Sequence, residues 1–256
     1  MAEQLSARGR EITETVVRLR LVTGKQLERL HFAEVADPGS RARQARRACA
    51  RLVQLGVLAR LARRVGGVRA GAGGYTYYAD AGAQRLAAFW RGEGLRRVRS
   101  RYEPSPAFVR HALGISECYV RLLAAERAGR VELLEFQSEP TAWRTFNTAE
   151  GLRHLKPDAF VRLGLDQATE LHAFLEIDCA TEGRVALARK CHAYVVAWRS
   201  GMGGAVFPRV VWITVSQRRA ELLREVCTTV APEAWPLFAV TTPERALEVL
   251  TTGAGS

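Results

Sequence analysis

Three carboxylates in the second half of the chain are spaced for shared chemistry. Asp158 follows Pro157 at the start of one apolar run, and Glu176 and Asp178 stand two residues apart in another, FLEID. Residues two apart on a strand point to one face of a sheet. If the two runs pair as a hairpin, the three acids converge. Several hard oxygen donors on one face are what Mg2+ or Mn2+ takes, and like charges packed so closely would otherwise repel. Asp158, Glu176 and Asp178 are therefore the expected metal ligands. The plainer alternative puts Glu176 and Asp178 in solvent on an edge strand and Asp158 in a turn. Phe174, Leu175 and Ile177 around the acids make simple solvation a poor fit.

The elements that must position these acids can be read from periodicity and breakers. A helix is expected over residues 111–129, then strands in VELLEFQSEP, HLKPDAFVRLG and ELHAFLEIDCAT. A long helix follows, EGRVALARKCHAYVVAWRSG, with Thr181 as its cap. FPRVVWITVS reads as a strand covered on both faces. A helix, a short strand and a helix opened by Pro243 close the chain. The order is αβββαβ followed by αβα, a mixed α/β domain.

Charge separates this domain from what precedes it. The 256 residues carry a formal charge of +12. Residues 1–103 hold 21 Lys+Arg against 9 Asp+Glu, and residues 104–256 hold 17 of each. Such asymmetry suggests two modules, one of which meets a polyanion. Clustered Arg displaces counterions from a phosphate backbone, so nucleic acid is the first candidate. An arginine-rich solvated surface is the bland alternative.

Within the basic region, ITETVVRLRLVT has helical spacing, and Thr23 caps a second helix, GKQLERLHF. After the break DPGS, with Ser40 as N-cap, RARQARRACARLVQLG gives a third. Its apolar side is Ala45, Cys49 and Leu52, with Arg43, Arg46 and Arg47 opposite and Arg41 at its start. VLARLARRV, the glycine-rich GGVRAGAGG and YTYYA then read as a hairpin carrying Arg60, Arg63, Arg64 and Arg69, and a helix capped by Asp80 follows. Three helices, a hairpin and a helix make a winged helix-turn-helix whose third helix is in the position that enters the major groove. The hairpin is placed to touch adjacent phosphates. The expected domains are 1–95, a winged helix-turn-helix; 96–108, a basic linker with Arg96, Arg97, Arg99 and Arg101; and 109–256.

With these pieces in order the chain is recognisable. The order αβββαβ with Pro157-Asp158 and Glu176-x-Asp178 resembles the PD-(D/E)xK nuclease fold. LKPDAF and FLEIDCATEGRVALARKCHAY behind a winged helix are similar, more specifically, to the replication-relaxation family. Those are plasmid and mobile-element proteins associated with replication, DNA relaxation and conjugative transfer. The pattern is met at Pro157, Asp158, Glu176, Asp178, Thr181, Glu182, Lys190 and Tyr194, and it departs at Ala180, where Gly is usual. Active nucleases of that superfamily carry a Lys two residues after the Glu; here the position is Asp178. The resemblance permits Lys190, on the following helix, to bring its ammonium back as a fourth catalytic residue. The alternative is a structural ion pair of Lys190 with Glu176 or Asp178.

Other signals narrow the field. The five Cys form no CxxC pair, and the His fall at no zinc-ligand spacing. There is no HxH for a relaxase of the HUH type and no GxxxxGK[ST] for ATP-driven movement. No apolar run is long enough to span a membrane, and the polar start has no signal-peptide core, so a cytoplasmic location is expected. Trp143, Trp198, Trp212 and Trp235 could stack on unpaired bases, Trp212 within VVWITV being core instead. The expected partners are double-stranded DNA, with relaxase or replication proteins and a second copy of the chain as further candidates. Three functions follow in order. The first is a DNA-binding protein of a mobile element with a nuclease-like, inactive or weakly active domain. The second is an active Mg2+-dependent endonuclease or nickase, and the third a winged-helix transcriptional regulator.

Overall fold

The computed structural model describes residues 5–61, 74–92, 104–166, 168–204 and 206–251. Arg63, Arg64 and Arg69 of the expected hairpin and the arginines 96, 97, 99 and 101 lie outside the described residues. The chain divides into two compact units, 1–120 and 121–256.

The first unit opens with helix α1 (Ala7–Leu19), whose N-cap Ser6 accepts the Gly9 N–H. Ile12, Val16 and Leu19 are buried along one face. The helical spacing continues through Val22, but the helix stops at Leu19. Arg20 turns the chain at φ 68°, and Leu21–Thr23 form strand β1. Helix α2 (Gly24–His31) starts in a capping box in which Thr23 and Gln26 satisfy each other's backbone. Helix α3 (Pro38–Gln54) is capped by Asp37 rather than Ser40, because the Asp37 carboxylate accepts the Ser40 N–H and Pro38 occupies the first turn without needing a donor. Strands β2 (Leu58–Arg60) and β3 (Thr76–Ala79) pair antiparallel, and β1 adds to the other side of β3. Helix α4 (Ala81–Trp90), capped by Asp80, closes the module. Its Gly82 comes so near the chain after α3 that its N–H donates to the Gly56 carbonyl at 3.2 Å.

Helix α5 (Pro106–Arg127) begins within the stretch expected as linker. The second unit is a mixed α/β layer with a mixed five-stranded sheet: β4 (Glu132–Ser138), β7 (Ala159–Gly164), β8 (Glu170–Asp178), β9 (Arg209–Thr214) and β10 (Phe238–Thr241), in the order β10-β9-β8-β7-β4. β4, β7 and β8 run antiparallel, while β8, β9 and β10 run parallel. Between β4 and β7 an additional hairpin, β5 (Arg144–Thr148) and β6 (Gly151–Leu155), was not anticipated. Its exposed outer residues erase the alternation that marks a half-buried strand. Helix α6 (Arg184–Arg199) starts from Gly183 with no side-chain cap, not from Thr181. Helices α6 and α7 (Gln217–Val230) cover one sheet face, burying Phe160, Phe174, Tyr194, Trp212 and Leu223 together. Thr214 excepted, β9 is apolar and buried from Val210 on, as a strand covered on both sides must be. Helix α8 (Ala246–Thr251) ends the described chain.

Candidate functional site

Strand register brings two of the three acids together. Ala159 lies opposite Leu175 in the antiparallel pair β7–β8. The preceding residue, Asp158, therefore lies opposite Glu176, with both on the face covered by α6. Both are buried, at 6% and 2% exposure. The Asp158 carboxylate accepts the Ile177 N–H at 2.7 Å, which fixes it across the strand pair. From α6, one turn apart, Tyr194 donates its hydroxyl to one oxygen of Glu176 at 2.5 Å, and the Lys190 ammonium reaches the other at 3.5 Å. Lys190 also meets Glu182 at 3.3 Å.

The electrostatics follow from this crowding. Burial, and then the Asp158 charge, push the Glu176 carboxyl up to about 8, although Lys190 and Tyr194 pull the other way. Burial works against the Lys190 ammonium, but the charges of Glu176, Asp158 and Glu182 outweigh it and raise its pKa. Tyr194, raised by burial and by Glu176, stays a donor.

Asp178 is on the same strand but has a different partner. Arg219 of α7 grips both its oxygens, at 2.6 and 2.9 Å, and Thr214 donates at 2.8 Å. Burial raises the Asp178 pKa, but these donors more than offset it and hold it below the usual carboxylate range. A carboxylate saturated this way is an ion-pair partner, whereas Asp158 and Glu176 are two mutually repelling acids on one buried face. The donor set of Asp158 and Glu176 fits a hard divalent cation; Asp178, expected as a third ligand, is occupied by Arg219. Glu139, just after β4, was missed in the sequence, and one of its carboxylate oxygens lies within 4.8 Å of one of Asp158. Neither Arg219 nor Glu139 carries a spacing signal, because each arrives from an element whose place only the folded sheet defines.

In the first unit, Arg43, Arg46 and Arg47 are exposed along α3, while Ala45, Cys49 and Leu52 are buried. Pro38–Gln54 holds five Arg and no acid. Arg41 is spent on structure, its side chain donating to the Val35 carbonyl at 2.9 Å. Arg43 donates to Ser40 at 2.8 Å. Arg60, exposed on β2, lies 4.3 Å over the Tyr75 ring.

These features define a mixed α/β protein with a buried carboxylate pair in one unit and an arginine-lined helix in the other. A family model described as Replication-relaxation matches residues 14–210, and the chain belongs to that family. No curated protein and no solved structure matches it. Among the described residues, no helix is long and apolar enough to cross a membrane.

Proposed function

We propose that this chain is a cytoplasmic DNA-binding protein of a plasmid or other mobile element, acting in replication, relaxation or conjugative mobilisation. The single observation that carries the reading is the exposed row Arg43, Arg46 and Arg47 on a helix without acids. The order of helices with a small three-stranded sheet supports a winged helix-turn-helix with α3 in the groove-reading position. Arg60, with Arg63, Arg64 and Arg69, would touch flanking phosphates of double-stranded DNA. The order α5-β4-β7-β8-α6-β9 supports a PD-(D/E)xK-like second domain interrupted by the β5–β6 hairpin. Relaxase or replication proteins and a second copy of the chain are its further candidate partners.

A second reading, an active Mg2+- or Mn2+-dependent endonuclease or nickase, is favoured by one contact: the Lys190 ammonium at Glu176. Asp158 and Glu176 would hold the cation, which when bound supplies an activated water and neutralises charge at phosphorus. In that reading Lys190 would steady a phosphate oxygen and Tyr194, which donates to Glu176, would orient that carboxylate. Asp178, gripped by Arg219, takes a structural role in either reading.

Supercoiled plasmid incubated with the protein and Mg2+ or Mn2+ separates the two. Retardation of the plasmid without change of topology is the outcome of the first reading. Relaxation or linearisation that disappears in Glu176→Ala is the outcome of the second. Absence of any retardation at low salt would contradict both.

A further inference from the structure

The cleft above Glu176 has features that a carboxylate pair does not need. It encloses about 350 Å3, with His154 and Lys156 from β6 and the residue after it on one side, and Arg189, Lys190 and Tyr194 of α6 on the other. Lys190 is occupied by Glu176 and Glu182. Lys156 and Arg189 are exposed, and among the described residues neither makes an ion pair. The Lys156 ammonium stands 4.9 Å from the centre of the Trp143 indole, which is 43% exposed. The rim of the cleft thus carries two cations that no acid among the described residues neutralises, and next to it stands a half-exposed indole with Lys156 over one of its faces.

We propose that this cleft binds an unpaired DNA strand, its phosphates along Lys156 and Arg189, with one base leaving the cleft to stack on the face of Trp143 that Lys156 does not cover. The inference rests on the DNA-binding reading above and names the form of DNA that the second domain takes. In a duplex each base face is covered by its neighbours, so an exposed indole stacks only on a base that has been unstacked. The cleft volume is at the low end of sites for small ligands and suits a single nucleotide. A duplex, whose major groove alone is about 12 Å wide, has no such narrow profile. A strand seated this way would bring one phosphate toward Lys190 and the buried pair Asp158 and Glu176.

The test uses the full chain, a fluorescent oligo-dT strand and a duplex of equal length, both without divalent metal. Trp143→Ala is expected to raise the Kd for oligo-dT about tenfold, the loss of one stacked base. Trp143→Phe, which keeps a ring, should restore most of that affinity. Lys156→Ala with Arg189→Ala should reduce the salt slope for oligo-dT by about 1.4, two single-strand phosphates. Duplex affinity should be unchanged in all three. The inference is overturned if oligo-dT binding ignores Trp143→Ala, or if strand and duplex lose affinity equally. If the wild-type chain binds no duplex yet oligo-dT binding depends on Trp143, the reading of α3 fails and this one stands. Intact duplex binding with oligo-dT indifferent to Trp143 sinks this inference alone.

Discussion

Glu176 and Asp178 are two residues apart on one strand and yet have opposite electrostatic settings. Glu176 faces Asp158 in a buried space and is raised to about 8; Asp178 is clasped by Arg219 and lowered. Removing one partner of a buried pair leaves an uncompensated charge, so Arg219→Gln should cost about 3–5 kcal/mol at neutral pH. Because the folded Asp178 pKa lies below its ordinary 3.8, the pair's contribution is fully present above that pH. It is lost as pH falls through the folded value. Urea denaturation of wild type and variant should thus diverge most at neutral pH and converge in steps below it; a gap that stays constant would contradict the pairing. Ala180 gives a second test. It sits at φ 57°, where an L side chain is strained and Gly is not. Ala180→Gly should raise stability by about 1 kcal/mol in the same titration, and a drop in stability would contradict the strain. The paired acids were legible from PD and ExD together with strand alternation. What holds each acid was not, since Arg219 and Thr214 lie 41 and 36 residues beyond Asp178.

At the scale of elements, close approaches decide more than propensity. A Cβ on Gly82 would stand 2.4 Å from the Gly56 carbonyl oxygen, a backbone atom that cannot swing aside. Gly82→Ala should therefore push α4 off the turn after α3 and cost about 1–3 kcal/mol, read as a lowered thermal midpoint. An unchanged midpoint would mean that α4 does not seat there. Helices α2 and α4 were legible because Thr23 and Asp80 are caps that act on their own first turns. The end of α1 was not, because the apolar spacing runs on past Leu19 and only the left-handed Arg20 breaks it. The same holds for β5–β6: an exposed hairpin on the rim of a cleft has no hydrophobic alternation to reveal it. The start of α3 falls at Asp37 for a local reason: its carboxylate accepts the Ser40 amide and Pro38 fills the first turn, so the helix is already under way at Ser40.

Over the whole molecule, charge and chemistry are divided between two units. Every excess positive charge belongs to residues 1–103, and the buried acids Asp158, Glu176 and Asp178 belong to the balanced remainder. That division was readable from counting alone, because net charge needs no knowledge of contacts. Which arginines are free for a partner needed the fold: Arg41 is tied to Val35, whereas Arg46 and Arg47 are held by nothing among the described residues. The proposed DNA binding depends most on α3 gripping a phosphate backbone. The measurement that tests it most directly is duplex affinity against salt, for the wild-type chain and for Arg43→Ala, Arg46→Ala and Arg47→Ala combined. Each phosphate that an arginine no longer neutralises should reduce the slope of log K on log salt by about 0.9, so the triple variant should bind more weakly with a slope shallower by up to about 2.7. The same affinity and the same slope in both proteins would contradict it.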